Sequence, residues 1–182
     1  NIFKQANPDR ILVHGDTTTT FAASLAAFYA NIPVGHVEAG LRSGNIHAPW
    51  PEEMNRRLAD TICDMLFTPT ASSRLNLINS GFSNESIFVT GNTVIDALLH
   101  ISQRLDNKNY LEKEFHENFP KLSDEKKIIL VTGHRRENFG KGFASVCNAL
   151  RQLASRSDIE IVYPVHLNPN VKGPIEQQLG HS

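Results

Sequence analysis

The strongest constraint on the fold is a regular alternation of short apolar runs with longer segments of helical periodicity. The apolar runs of the first half are ILVH, PVGHV, DMLFTPT and SIFVTGN, which begin at residues 11, 33, 64 and 86. The chain is expected to enter the first strand directly, and an alanine-rich helix opening with capping threonines follows it. Alternation of this kind predicts a parallel sheet with helices on both faces.

The second half repeats the alternation after an interruption. From 93 to about 125 the pattern is helical and then highly charged, before IILVT begins a new strand. We interpret the charged stretch as a connection between two sheets. A helix over 143–154 and the strand IEIVYPVH come next, and a Pro/Asn-rich turn follows that strand. The apolar stripe of this helix predicts core positions at Phe143, Val146, Cys147, Leu150 and Leu153.

The composition narrows the functional classes. A net charge of −1 and a pI of about 6.8 argue against binding a polyanion over the whole surface. No apolar run approaches the ~18 residues of a membrane span, and the first ten residues lack the apolar core of a signal peptide. Cys63 and Cys147 have no CxxC spacing, which predicts buried free thiols in a reducing compartment. The cytoplasm is therefore the expected location.

Polar residues follow most of the predicted strands at their carboxyl ends, where ligands bind in parallel α/β sheets. They are His14, Gly15 and Asp16; Glu38, Gly40 and Arg42; Asn92; the TGHRREN segment that begins at residue 132; and His166 with Asn168. The histidine and arginines of TGHRRENFGKG would suit a phosphate group. The sequence has no GxGxxG or GxxxxGK[ST] motif and no metal-ligand spacing, so no cofactor and no metal are expected.

Each acidic candidate also has an ordinary structural interpretation. Asp16 with Thr17 would form a helix N-cap pair, and Glu38 would make hydrogen bonds within its loop. Glu52 would be a solvated glutamate in the first turn of a helix, paired with Arg56 one turn later. The residues taken singly leave these alternatives open.

Six motifs in one order, however, resemble a single family. They are HGDTTTT, HVEAGLRS, PWPEEMNRR, FVTGNTVIDALL, TGHRREN and YPVHLNPNV. Over nearly all of residues 10–175 the chain resembles the non-hydrolysing UDP-N-acetylglucosamine 2-epimerases of bacteria. The resemblance implies two Rossmann-like parallel-sheet domains in a glycosyltransferase-B-like arrangement, each only partly present. Residues 1–96 would be the later part of the first domain, 97–126 a helical and charged connection, and 127–182 the start of the second domain.

The resemblance also implies a reaction, the reversible epimerisation of UDP-N-acetylglucosamine to UDP-N-acetylmannosamine at C2. UDP would leave as the C2 proton is removed, giving a 2-acetamidoglucal intermediate, and would add back with protonation on the opposite face. The product would supply cell-surface polysaccharide synthesis. We expect a homodimer that binds neither nucleic acid nor membrane. Because parts of both domains would be missing, the isolated chain is expected to be inactive.

The family's site residues carry over to motif positions of this sequence. By resemblance, the groups that act on the sugar and the leaving diphosphate are Asp16, Glu38, Glu52 and His134. Those that bind the UDP-sugar are Arg56, Asn92 and Arg135. A regulatory pocket for a second substrate molecule would be lined by Glu53, Arg135 and His166, although Glu53 and Arg135 could instead form an ion pair between domains. The other histidines are expected to be structural or exposed: His36, His47, His100, His116 and His181.

Three alternative functions are compatible with parts of this pattern. A hydrolysing 2-epimerase would share most of the motifs but would release free N-acetylmannosamine and UDP. A UDP-sugar glycosyltransferase of similar architecture would have no need of carboxylates on both faces of C2. A nucleotide-sugar-binding module without catalysis would need only the binding residues.

Overall fold

The computed structural model describes residues 2–106, 117–118, 122–123, 125–133 and 141–180. The chain forms two compact units that divide between Arg104 and Leu105. Each unit is built on a parallel β-sheet accompanied by helices. The predicted α/β class is therefore confirmed.

The sheet of the first unit consists of four parallel strands that neighbour one another in chain order. They are β1 (Ile11–His14), β2 (Val34–Val37), β3 (Met65–Thr68) and β4 (Ile87–Val89). The register places His36 of β2 opposite Val13 of β1 and Leu66 of β3. Because all four strands are parallel, their carboxyl ends lie along the same edge, where the polar candidates are found.

Helices precede, connect and follow these strands. They are α1 (Ile2–Ala6), α2 (Thr18–Tyr29), α3 (Glu52–Ile62), α4 (Ala71–Asn79) and α5 (Thr93–Asp106), with one 3-10 turn at Asn84–Ser86. The predicted threonine cap of α2 is present, since the Thr17 hydroxyl accepts a hydrogen bond from Thr20 N, and the Thr70 hydroxyl caps α4 in the same way. The expectation that the chain enters β1 directly is wrong, because α1 precedes it.

The apolar core of the first unit lies against this sheet. Its buried members are Val13, Ala27, Val34, Ala39, Cys63, Leu66, Leu77 and Ile87. Gly40 lets α4 approach closely, because a Cβ at this position would lie only 2.4 Å from the Ser73 carbonyl oxygen. Its φ of +81° also falls in the left-handed region that favours glycine. Gly40 therefore fixes the path of the chain just after the end of β2.

The second unit pairs β5 (Lys127–Leu130) with β6 (Ile159–Val162) in parallel. Helix α6 (Lys141–Ala154) connects them, and α7 (Pro169–Leu179) follows. The buried apolar cluster is formed by Phe143, Cys147, Val171 and Ile175. Both cysteines of the chain are buried and free, as predicted.

Two expectations for the second unit differ from the structure. Val146, predicted to lie in the core, is 43% exposed, and Leu153, also predicted there, is only half-buried. The predicted Pro/Asn-rich turn is present only in part, since a bend lies at Leu167 but α7 already begins at Pro169. Proline suits the first helical position because an N–H there has no intrahelical partner.

None of the helices in the described part of the chain is long and apolar enough to cross a membrane.

Candidate active site

Asp16 lies in the loop between β1 and α2, at the carboxyl edge of the sheet. Its Oδ2 accepts a hydrogen bond from Arg56 Nη2 at 2.5 Å, and its backbone carbonyl accepts one from Asn55 Nδ2 at 2.9 Å. The N-cap of α2 is Thr17, so the ordinary interpretation of Asp16 as a capping residue is wrong. The carboxylate is held from α3, a helix that follows Asp16 by more than thirty residues.

Glu38 follows β2 and adopts a left-handed backbone with φ of +72°. A non-glycine residue held in this region costs about 1–3 kcal/mol, which the surrounding structure has to supply. Here the N–H groups of Glu38 and Ala39 both donate to the Phe67 carbonyl at 3.0 Å. The Glu38 carboxylate lies 3.7 Å from His14 Nε2, and a Cβ on Gly15 would be 3.4 Å from its Oε2. Glu38 therefore lies beside the turn that carries Asp16.

Glu52 is the first residue of α3, where a carboxylate is favoured by the helix dipole. The expected pair with Arg56 does not form, because the Arg56 guanidinium contacts Asp16 and Glu53 instead. Among the ion pairs of the described residues, none involves Glu52. Residues four apart share one helix face, so Glu52 and Arg56 lie on the same side of α3.

Glu53 is fully buried and connects α3 to the loop that follows Glu38. Its Oε2 accepts a hydrogen bond from Ser43 N at 3.1 Å, and its Oε1 accepts one from Arg57 Nε at 2.9 Å. Arg56 Nη1 lies 3.4 Å from Oε2. The carboxylate therefore has partners within its own unit.

Arg56 is predicted to bind the UDP-sugar, and the structure also gives it a role within the protein. Its side chain is mostly buried, and its two terminal nitrogens contact Asp16 and Glu53. Its Nε is buried without a hydrogen-bond partner within the described structure. Asn92, also predicted to bind the substrate, accepts a hydrogen bond from Val94 N at 3.0 Å and so supports the start of α5.

A buried polar network beneath this edge was missed at the sequence level. His36, which is fully buried, contacts Asp60 of α3 through Nδ1 at 2.7 Å and the Gly15 carbonyl through Nε2 at 2.8 Å. Asp60 Oδ2 accepts a hydrogen bond from Arg42 Nη1 at 2.7 Å. The one signal of this network in the sequence was His36 itself, a histidine within the apolar run VGHV. It was predicted only to be structural or exposed.

Cys63 lies beside this network but stays a neutral thiol near neutral pH. Burial raises its pKa to about 12, and the negative charge of Asp60 adds to the increase. A reactive thiolate is therefore absent from this part of the site.

Other predicted residues are placed as follows. His166, in the second unit, is exposed and accepts a hydrogen bond from Asn168 N at 3.1 Å. His47 and His100 are exposed, in agreement with the prediction. The four positions that lie outside the described residues are His116, His134, Arg135 and His181. No group of three or more potential metal ligands occurs among the residues described.

Parallel α/β units with polar side chains at the carboxyl strand ends are typical of proteins that bind small ligands. A family model described as UDP-N-acetylglucosamine 2-epimerase matches residues 1–182, and the chain belongs to this family. A UDP-N-acetylglucosamine 2-epimerase of Escherichia coli (strain K12) is 54% identical over 181 residues, which cover 99% of this chain and 48% of the relative. The chain thus spans about half the length of that relative.

Solved structures agree with this assignment. The UDP-GlcNAc 2-epimerase of Neisseria meningitidis, bound to UDP-GlcNAc, matches with a TM-score of 0.93 and 47% identity, over 99% of this chain and 48% of that one. The enzyme of Methanocaldococcus jannaschii, in complex with UDP-GlcNAc and UDP, matches with a TM-score of 0.78 and 32% identity, over 97% and 46%. Both likenesses therefore cover nearly the whole of this chain.

Proposed function

We propose that this chain forms part of a non-hydrolysing UDP-N-acetylglucosamine 2-epimerase, an isomerase that interconverts UDP-N-acetylglucosamine and UDP-N-acetylmannosamine. The observation that carries the proposal is the placement of Asp16, Glu38 and Glu52. The chain belongs to this family, and at one edge of its sheet Asp16 follows β1, Glu38 follows β2 and Glu52 begins α3. Carboxylates that arrive from different directions suit proton transfer on both faces of a sugar ring.

The chemistry sets clear requirements. The hydrogen on C2 is barely acidic, so its removal has to be coupled to departure of a leaving group. A carboxylate takes the C2 proton, the C–H electron pair becomes a C1=C2 double bond, and the C1–O bond breaks with its electrons leaving on UDP. For the return step, a UDP oxygen attacks C1 while an acid protonates C2 on the opposite face. We assign these proton transfers to Asp16, Glu38 and Glu52 jointly.

The three carboxylates differ in how the protein holds them. Asp16 is fixed by Arg56, and its backbone carbonyl is fixed by Asn55. Glu38 is oriented by its left-handed turn beside β1. Glu52 makes no ion pair within the described structure and is partly exposed, which leaves its oxygens available to a substrate. Rigid placement with open oxygens is what general acid–base catalysis requires.

The remaining roles rest on the family membership. We assign His134 to the support of the departing diphosphate, and Arg56, Asn92 and Arg135 to UDP binding. Arg135 and His166 are proposed to line a regulatory pocket for a second substrate molecule, whereas Glu53, buried against Ser43 N and Arg57, is proposed to support the fold. A cytoplasmic homodimer that supplies cell-surface polysaccharide synthesis is part of the same proposal.

The test requires a protein of the relatives' full length. We define the completed protein as a chimera in which this chain replaces the matching segment of the Escherichia coli relative. Incubated with UDP-N-acetylglucosamine in D2O and followed by proton NMR, it should form the C2 epimer with deuterium at C2. Free N-acetylmannosamine would indicate a hydrolysing enzyme instead. No conversion would indicate a module that binds the nucleotide sugar without catalysis. The 182-residue chain alone should be inactive, and a chelator should leave the activity of the completed protein unchanged.

A further inference from the structure

The fully buried contacts of His36 define its protonation. Its Nε2 faces the Gly15 carbonyl oxygen, which can only accept, so Nε2 must carry a proton. Its Nδ1 faces Asp60 Oδ1 at 2.7 Å. Asp60 in turn accepts a hydrogen bond from Arg42, and a carboxylate paired with a guanidinium is ionised and cannot donate. Nδ1 must therefore carry a proton as well.

The same network joins the elements that hold the three carboxylates. His36 supports the Gly15 carbonyl, one residue before Asp16. Asp60 lies on α3, the helix that begins with Glu52. Arg42 lies in the loop that leaves Glu38, and its Nη1 also donates to the Leu41 carbonyl at 2.8 Å. One chain of hydrogen bonds thus runs from the end of β1 through β2 to α3 and back to the loop after β2.

We propose that His36 is a positioning residue of the active site, held as a doubly protonated imidazole between the Gly15 carbonyl and Asp60. The positive charge of His36 has two polar partners, the Asp60 carboxylate at Nδ1 and the Gly15 carbonyl at Nε2, and the Arg42 guanidinium shares the carboxylate. A buried cation without such partners would be strongly unfavourable. His36 does not touch the substrate; it acts by fixing the turn that carries Asp16. This inference rests on the proposed function.

The first experiment is 15N NMR of the 182-residue chain labelled at histidine nitrogens, at pH 7.5. Both ring nitrogens of His36 should show directly bonded protons, and their signals should be absent from His36→Gln. A ring nitrogen of His36 without a proton would overturn the proposed state. This measurement uses the unsubstituted chain, so it decides the question even where His36→Gln fails to fold.

The second experiment measures kinetics in the completed protein. His36→Gln should lower kcat by about tenfold to a hundredfold, the scale of a small misplacement of a catalytic group, and should leave KM within about threefold. Ile87→Ala is the matched control, because it removes a buried side chain at the start of β4 without touching the network. Ile87→Ala should retain the wild-type kcat even though it lowers the free energy of unfolding.

Two failures are distinguishable. Unchanged kcat in His36→Gln, together with a large loss in Asp16→Asn, would overturn the positioning role and leave the proposed function standing. Unchanged kcat in both variants would instead overturn the proposed function. A loss of kcat in Ile87→Ala equal to that in His36→Gln would show that lowered stability, and not positioning, is responsible.

Discussion

Helices α3 and α6 belong to different units and bury opposite kinds of side chain. Helix α6 buries the apolar residues Phe143, Cys147 and Leu150. Helix α3 buries only one apolar side chain, Ala59, and otherwise buries Glu53, Asn55 and Asp60. The face of α6 was predictable because its apolar residues recur with the helical period. In helix α3 the apolar residues Met54, Leu58 and Ile62 also recur with the helical period, but Met54 and Leu58 are exposed, so the period alone does not identify its buried face.

The two modes of packing serve different ends. Burying an apolar side chain in α6 stabilises the unit by about 1.5–3 kcal/mol, with little demand on geometry. The buried side chains Glu53, Asn55 and Asp60 of α3 are tolerated only because each has a hydrogen-bond partner, and those partners fix distances and angles. Helix α3 therefore orients Asp16 through Arg56 and Asn55. In this protein, the helix with the polar buried face is therefore the one that positions the site.

The largest expected effect distinguishes the two cysteines that accompany these helices. Burial raises both thiol pKa values, but Asp60 adds to the increase at Cys63 whereas Arg151 opposes it at Cys147. At pH 9 a pKa of about 12 leaves ~10⁻³ of Cys63 as thiolate, so its alkylation should be ~10³-fold slower than after unfolding. Mass spectrometry of Cys63→Ser and Cys147→Ser measures each thiol alone. Labelling of Cys63 in the folded chain as fast as after unfolding would contradict this prediction.

The second prediction compares the loss of stability caused by volume-conserving substitutions on the buried faces of α3 and α6. Glu53→Gln removes a buried charge that faces Arg56 and Arg57 and should lower the free energy of opening of α3 by about 3 kcal/mol. The low end of the range applies because the Arg57 side chain is 42% exposed. Leu150→Met in α6 should cost less than about 1.5 kcal/mol. Hydrogen exchange of peptides from both helices measures the two costs, and equal costs would show that the buried polar face of α3 is no more sensitive to substitution than the apolar face of α6.

The same contrast explains what could be predicted from the sequence. The strands and α6 follow from periodicities that are local, and the placement of Asp16 and Glu38 at one edge follows from parallel topology. The bond from Arg56 to Asp16 joins residues 40 positions apart, and that from His36 to Asp60 joins residues 24 apart. No local pattern records such pairs. Glu52 became a candidate only through the resemblance to a family.

A third prediction tests whether the edge positioned by α3 performs the proton chemistry. Asp16→Asn, Glu38→Gln and Glu52→Gln keep side-chain size but remove a basic oxygen, so kcat of the completed protein should fall by ~10² or more. UDP affinity should stay within about tenfold, or roughly 1.4 kcal/mol, because these groups face the sugar. Glu85→Gln, an exposed carboxylate elsewhere in the unit, is the control and should keep kcat.

His134→Asn is the contrasting variant. It should weaken UDP binding and slow cleavage of the C1–O bond, since a donor to the diphosphate is removed. Titration calorimetry with UDP and the rate of C2 deuterium exchange measure both properties. If the carboxylate variants lose UDP binding while His134→Asn retains it, the roles are reversed.

The smallest expected effect concerns activation by a second substrate molecule, and it compares Arg135 with Glu53 of α3. A lost arginine–phosphate contact costs about 1.5–3 kcal/mol, so Arg135→Ala should shift the activating substrate concentration by about tenfold or more and flatten the sigmoidal response.

Glu53 should behave differently from Arg135, because its carboxylate is buried against Ser43 N and Arg57. Glu53→Gln should lower stability without a comparable shift in cooperativity. Initial rates of the completed protein against UDP-N-acetylglucosamine separate the cases. Wild-type cooperativity in Arg135→Ala would show that Arg135 does not line the regulatory pocket. An equal shift in Glu53→Gln would show that Glu53 contacts the activator directly.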